Sequence, residues 1–253
     1  MPEVFRDYSR IYDIIYRKKD YCKECRYLDR IFRRYTRIPV KDILDVACGT
    51  GNHAVSLSAM GYRVFGQDIS KGMLKEARRK CAGDKNIRII GSFPMQKFCH
   101  SRKFDACVAM FSSVDYILKI GQLRRAFKNI FSCLKPGGIF TFDFWNADCV
   151  TRSFSPYKRG VFICGNKKVE RVSRTGLDKA KMIANIGYTC RYYDNGDFKA
   201  TITEKHLMKY HDIKSMLKLV ESCGFRVAGV FPFMKIGYKV RHSDWNISVV
   251  AVK

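Results

Sequence analysis

The sequence predicts an α/β protein: a doubly wound, mainly parallel sheet of seven strands, with an antiparallel C-terminal strand and a small antiparallel β insertion. Three observations predict it. Apolar runs of strand length alternate with helix-period segments from Ile43 to Phe144, the pattern of a parallel sheet covered on both faces. A glycine turn, Cys48-Gly49-Thr50-Gly51, follows the first run directly. Beyond Trp145 the rhythm changes to the repeated alternation of antiparallel strands.

Taken in order, residues 8–36 place Tyr12, Ile15, Tyr16, Leu28, Ile31 and Phe32 at helical spacing, giving two helices interrupted near Lys18-Lys19-Asp20. Ile43 to Ala47 is a short buried strand, followed by the glycine turn and a helix through about Met60 that Gly61 ends. Arg63 to Gln67 is the second strand, closing on Asp68. Ser70 caps a helix from Lys71 to about Lys80. Asn86 to Ile90 and Phe104 to Phe111 are strands three and four. A helix over roughly Gln122 to Leu134 leads into Pro136-Gly137-Gly138, which turns into the fifth strand, Ile139 to Phe144. Residues 161–210 alternate, with a hairpin cue at Asp194-Asn195-Gly196-Asp197. An amphipathic helix from Ile213 to Ser222, stopped by Gly224, precedes the strands Arg226 to Pro232 and Asn246 to Val252. The antiparallel segment therefore interrupts the α/β fold rather than following it.

Composition narrows the function class. With 47% hydrophobic residues, a chain of 253 buries a full core without disulfides or metal. Eleven cysteines at irregular spacing do not form a disulfide framework. Cys22 and Cys25 are the only Cys-x-x-Cys pair, and on a charged helix they read as two cysteines one turn apart; no metal site is expected. No run approaches the roughly 20 apolar residues of a membrane span, and Met1 to Asp7 lacks the apolar core of a signal peptide, so the expected compartment is the cytoplasm. The net charge of +25 is distributed as excesses of 5, 8 and 12 over residues 1–40, 41–150 and 151–253. That is a generally basic surface, which attracts anionic partners without marking a nucleic-acid arm.

The chemistry centres on the turn. A glycine-rich connection between a first strand and its helix lets a ligand approach the backbone closely. Gly49-x-Gly51-x-x-Ala54 alone also fits a dinucleotide site. Asp45, just ahead of the turn, is ill placed beside a pyrophosphate and well placed beside a cationic ligand such as the ammonium and sulfonium of S-adenosylmethionine. Asp68, at the end of strand two, suits two ribose hydroxyls and serves either cofactor.

Ile43-Leu44-Asp45-Val46-Ala47-Cys48-Gly49-Thr50-Gly51 closely resembles the first motif of the class I S-adenosylmethionine-dependent methyltransferases. Gly66-Gln67-Asp68-Ile69-Ser70-Lys71-Gly72-Met73-Leu74 resembles the second-strand segment, and Phe104-Asp105-Ala106-Cys107-Val108 and Leu134-Lys135-Pro136-Gly137-Gly138 the fourth strand and the turn into the fifth. All keep the family's order and spacing. The resemblance implies a Rossmann-like fold and S-adenosyl-L-methionine as cofactor. It implies a cofactor site of Tyr21, Asp45, Ala47, Gly49, Gly51, Asp68, Ile69, Met73, Ser92, Phe93, Met110 and Ser112. Where the family usually carries an acid for the adenine amino group, this sequence has Ser92, so adenine recognition is expected from Ser92 and Phe93.

Tyr12-Asp13-Ile14-Ile15-Tyr16, Lys19-Asp20-Tyr21 and Met110-Phe111-Ser112-Ser113-Val114-Asp115-Tyr116 are similar to the N,N-dimethyltransferases of nucleotide-linked amino sugars. Phe142-Asp143-Phe144-Trp145-Asn146 departs from the acid-Pro-Trp of those enzymes. The similarity implies that Tyr16 and Tyr116 face the acceptor, that Tyr21 closes over the methionine end of the cofactor, and that the insertion covers the substrate. The chain then divides into an N-terminal helical lid (1–40), a cofactor-binding core (41–145), the antiparallel insertion (146–210), and the last helix and strands of the core (211–253). Tyr16, Tyr116 and Asp143 are the catalytic candidates. His206, also considered for moving a proton, is expected as a surface strand residue. The expected acceptor is a small molecule with anionic character. The alternatives are an RNA or protein acceptor held by the basic surface, or a catalytically idle cofactor-binding protein.

Overall fold

The structure is a computed structural model, and it describes residues 5–98 and 100–253. Residues 1–4, part of the stretch read for a signal peptide, lie outside these. Eighteen helices and strands are used below. They are α1 (Ser9–Ile15), α2 (Tyr21–Tyr35), β1 (Asp42–Asp45), α3 (Asn52–Ala59), β2 (Arg63–Gln67), α4 (Lys71–Lys80), β3 (Ile87–Gly91), β4 (Phe104–Ala109), α5 (Ile120–Cys133), β5 (Leu134–Trp145), α6 (Ala147–Ser153), β6 (Tyr157–Cys164), β7 (Lys167–Asp178), β8 (Ile183–Asp194), β9 (Asp197–Lys209), α7 (Ile213–Glu221), β10 (Arg226–Pro232) and β11 (Asn246–Val252). A short 3-10 turn covers Ser113–Tyr116.

Seven strands form one sheet in the order β10-β11-β5-β4-β1-β2-β3, and β6 to β9 form a second sheet in sequence order. β11 runs antiparallel to both neighbours, and the central pairs are parallel. β1 is buried along its whole length, and its side chains alternate between two cores. Leu44 joins the core built with α5 and α7 (Leu123, Phe127, Ile130, Leu219), and Ile43 joins the core built with α2 and α3 (Leu28, Ile31, Leu57). That alternation is what a sheet covered on both faces requires.

Because β1 has β2 on one side and β4 on the other, successive crossovers diverge there. A crevice therefore opens beyond the carboxyl ends of β1 and β4, the place where open α/β sheets bind ligands. The β6–β9 sheet turns one face to the molecule. There α1 packs on Val169, Cys190 and Ile202, while α6 packs beside Ala184, Ile186 and Met208.

Several expectations need adjustment. The N-terminal lid divides: α1 lies against the second sheet, but α2 is a core helix whose Leu28, Ile31 and Phe32 are almost fully buried. β4 stops at Ala109 instead of reaching Phe111, because Phe111 and Ser112 both take positive φ values, 61° and 56°. The Pro136-Gly137-Gly138 turn is an irregularity inside β5, whose pairing with β4 shifts register between Phe104 and Ala106. Residues 147–153 of the expected β insertion form a helix capped by the Asn146 side chain. No helix among the described residues is long and apolar enough to cross a membrane.

Candidate active site

The turn Cys48 to Gly51 is built by short-range bonds. Gly49 and Gly51 adopt φ of 54° and 83°, a region that costs a side-chain-bearing residue about 1 kcal/mol or more. A Cβ on Gly49 would meet nothing within 4 Å, so this glycine faces open space. A Cβ on Gly51 would come within 3.0 Å of the Cys81 sulfur, so that glycine instead lets α3 start close against the end of α4. The Gly49 amide donates to the Asp68 carboxylate at 2.9 Å, and the Ser70 amide donates to its other oxygen, also at 2.9 Å. Asp68 thus joins the turn to the end of β2. Burial pushes its pKa up, and the amide donors pull against that rise.

Asp45 is 1% exposed. One oxygen accepts from the Ala47 amide at 3.2 Å, and the other is buried without a partner among the described residues. Burial raises its pKa to about 6. Across the turn the Tyr21 hydroxyl is likewise buried and unpartnered, and its ring packs edge-on to His53 at 5.0 Å. His53 Nε2 lies 2.7 Å from the Glu24 carboxylate, which also pairs with Lys19. The sequence reading missed His53 and Glu24; their places in the first turns of α3 and α2 were the available signal. Unpaired buried polar atoms are uncommon in folded proteins, and two beside one open glycine suit a ligand that brings a cation and hydrogen bonds. These residues fit the expected cofactor.

The side expected to take adenine is less enclosed. The Ser92 hydroxyl donates to the Ile69 carbonyl at 2.9 Å, which leaves its lone pairs free to accept. Ile69 and Phe93 are 61% and 42% exposed, two apolar surfaces beside the crevice. Met73 and Met110 are buried, and Ala47 is half-buried against the core.

On the opposite wall, Asp143 of β5 is fully buried. One of its oxygens accepts from the Ser112 amide (3.0 Å), the Ser112 hydroxyl (2.9 Å) and the Asn246 amide (2.8 Å). The other has no partner among the described residues. The carboxylate thereby fixes the left-handed residue that opens the turn carrying Tyr116. The Tyr116 hydroxyl lies 2.8 Å from His206 Nδ1, and His206 Nε2 faces Glu204 at 2.9 Å. Burial and the neighbouring phenols Tyr188, Tyr16 and Tyr8 push the Tyr116 hydroxyl well above the usual tyrosine range. His206 is 1% exposed, which corrects its assignment to the surface. It shares the inner face of β9 with Ile202 and Met208, two residues to either side of the Glu204–His206 pair. That parity was legible.

Tyr16 lies between the halves. Its ring meets Phe111 at 5.3 Å and Tyr12 at 4.6 Å. Arg171 of β7 donates to the Tyr8 hydroxyl at 3.0 Å and the Tyr16 hydroxyl at 3.5 Å, with Phe162 and Tyr188 against its guanidinium. Among the described residues no carboxylate comes within ion-pair distance of Arg171. The structure thus gathers Tyr16, Tyr116, His206 and Arg171 into one cluster of mutual side-chain contacts through Tyr8 and Tyr188, and places Asp45, Gly49 and Asp68 around the turn with Tyr21 against His53 at its edge. Two open hollows of about 520 and 400 Å³ lie on the four-stranded sheet around Arg174 and Gly187, lined by none of these turn residues. Cys22 is exposed and Cys25 buried on α2.

Comparison with known proteins is consistent with this geometry. A family profile described as a methyltransferase domain matches residues 43–138. The chain is 31% identical over 188 residues to dTDP-4-amino-2,3,4,6-tetradeoxy-D-glucose N,N-dimethyltransferase of Saccharopolyspora spinosa, covering 72% of each. It is 34% identical over 142 residues to dTDP-3-amino-3,4,6-trideoxy-alpha-D-glucopyranose N,N-dimethyltransferase of Streptomyces venezuelae, covering 55% of this chain and 57% of that one. The crystal structure of an S-adenosylmethionine-dependent methyltransferase from Clostridium acetobutylicum superposes with a TM-score of 0.83 at 20% identity, covering 97% of each chain.

Proposed function

From the premise that this chain belongs to the class I S-adenosylmethionine-dependent methyltransferases, we propose that it methylates the amine of a small, anionic acceptor such as a nucleotide-linked amino sugar. The observation that carries the acceptor reading is Arg171. A half-buried guanidinium bonded only to phenols, with no carboxylate partner among the described residues, keeps donors available for an anionic group, for which the planar fork is suited. The relatives whose names specify dTDP-linked amino sugars support the same class.

When bound, S-adenosylmethionine supplies a sulfonium-activated methyl group. Asp45 and Tyr21 receive the ammonium end, Asp68 the ribose, and Ser92, Ile69 and Phe93 the adenine. Tyr16 and Tyr116 orient the acceptor nitrogen, and Asp143 acts by holding Ser112 and the turn that carries Tyr116. Most of the rate then comes from alignment in a desolvated chamber, an effect worth roughly 7–11 kcal/mol in well-oriented reactions. The insertion and α1 exclude water from it.

The test is incubation with labelled methyl donor and a panel of dTDP-amino sugars, simple amines and RNA, with products identified by mass. Formation of mono- or dimethylated amino sugar, reduced at least tenfold by Arg171→Met, is the expected result. Labelling of RNA alone would overturn the acceptor assignment.

A further inference from the structure

Tyr116, His206 and Glu204 come from two distant segments, the 3-10 turn after β4 and the strand β9. They meet as a chain with both imidazole nitrogens engaged, at 2.8 Å and 2.9 Å. Such a chain has one self-consistent neutral form. Nε2–H donates to the Glu204 carboxylate, which leaves Nδ1 as the acceptor of the Tyr116 O–H. Glu204 is itself held: its two oxygens also accept the backbone amides of Phe5 and Tyr8, at 3.2 Å and 3.4 Å. The histidine is enclosed by the rings of Phe5, Tyr8, Tyr116 and Tyr188. Two further charged residues share this face of the sheet around Glu204: Arg171, which bonds to the tyrosine hydroxyls, and the exposed Lys158, and neither is within ion-pair distance of Glu204 among the described residues. A buried histidine fixed by a carboxylate and aimed at a hydroxyl is the arrangement by which hydrolases move a proton through an alcohol.

We propose that His206 and Glu204 form a proton relay behind Tyr116, which draws the proton from the ammonium form of the acceptor. The inference rests on the amine-methylation reading above. The acceptor N–H bond breaks as a new O–H bond forms on Tyr116, and the original Tyr116 O–H proton passes to His206 Nδ1. The positive charge moves from the acceptor to the imidazolium, where the Glu204 carboxylate stabilises it, and the freed lone pair on nitrogen attacks the methyl group. After the product leaves, the Nδ1 proton returns to the Tyr116 oxygen as the other Tyr116 proton passes to water in the emptied site, which restores the Nε2–H tautomer and resets the relay. Tyr116 is the group that touches substrate; His206 and Glu204 act through it.

Two measurements test this. With ¹⁵N-labelled protein, two-bond correlation spectra should show His206 as the Nε2–H tautomer, with the Nδ1 resonance moved by Tyr116→Phe. In turnover with a dTDP-amino sugar as probe, His206→Asn and Glu204→Gln should each lower kcat by roughly 10²-fold, the scale of acid–base assistance, while the donor KM stays within about twofold. Glu204→Gln is the informative variant, because its one carbonyl oxygen can still accept from Nε2–H and from the Phe5 amide, giving up only the longer bond from the Tyr8 amide, but it cannot stabilise an imidazolium. The double variant Tyr116→Phe/His206→Asn should be no slower than the worse single one, as expected of groups acting as a unit. An Nδ1–H tautomer, or Glu204→Gln turning over within twofold of the wild type, overturns the relay while the amine reading stands. A wild-type protein idle on every amine offered overturns that reading, and the relay's role with it.

Discussion

Asp143 holds Ser112 at two points, accepting its backbone amide at 3.0 Å and its hydroxyl at 2.9 Å from a carboxylate that is fully buried. Ser112 has φ of 56° and follows another residue at positive φ, so the strand-four exit is a strained turn kept in shape by its partner. Removing that partner strands the donors of Ser112 and Asn246, each at a cost of about 1–3 kcal/mol.

Asp143→Ala should therefore lower stability by several kcal/mol in urea unfolding, and activity should fall even where the protein stays folded. Asp143→Asn should be milder, since its amide oxygen can take the place of the oxygen that accepts three bonds. Equal behaviour of the two variants would rule out the holding role.

The two glycines of the turn separate by variant. Gly49→Ala projects a methyl group into open space and should cost only about 1 kcal/mol of backbone strain while weakening donor binding strongly. Gly51→Ala adds contact with the Cys81 sulfur, so its melting temperature should fall further. Combining it with Cys81→Ala should recover the packing part and leave the strain. Calorimetry and donor titration distinguish the two outcomes.

Asp45 makes a signed pH prediction. Its folded pKa of about 6 lies above the unfolded value, so the stability it contributes is full below about pH 4 and is lost as pH rises through 6. In the protein without ligand that loss is about 2–3 kcal/mol for a group this buried. Donor binding reverses the preference, because the ammonium favours the carboxylate. The dissociation constant for S-adenosylmethionine should rise as pH drops below 6, and Asp45→Asn should flatten that dependence.

The adenine contacts predict unequal losses. Ser92→Ala removes one acceptor and one bond to Ile69, so donor affinity should fall only a few-fold. Phe93→Ala removes exposed apolar area that a bound ring would cover, and should cost more. Isothermal titration with S-adenosylhomocysteine reads both, and a larger effect at Ser92 would assign recognition to the hydroxyl.

How far the sequence led can be read from where these residues sit. The proposed donor half lies in one continuous stretch with a strand–turn–helix logic, so the sequence pointed to Asp45, Gly49, Gly51 and Asp68 together, and the structure joins the turn to Asp68. The proposed acceptor half is assembled from α1, the turn after β4, and strands β7 and β9, and no local pattern announces an assembly of that kind. His206 was in phase with Ile202 and Met208, yet a histidine between lysine and leucine in an alternating strand reads as surface until the sheet's inner face is known. Arg171 was invisible for the same reason: its meaning comes from Tyr8 and Tyr16, more than 150 positions away. Helix α6 escaped because seven residues carry too little periodicity.

Helix α1 is fastened at both ends of this divide. Asp13 accepts from Thr50 at 2.7 Å and Asn52 at 3.0 Å in the glycine turn and pairs with Lys80, while Tyr8 and Tyr16 of the same segment reach Arg171 on the far sheet. A clasp that joins the glycine turn to the proposed acceptor cluster cannot open for one without disturbing the other. Turnover should then follow a compulsory sequence, donor first and spent donor last, visible as competitive product inhibition by S-adenosylhomocysteine against donor and noncompetitive inhibition against acceptor. Loosening the clasp with Asp13→Ala should make the order random before it slows the chemistry.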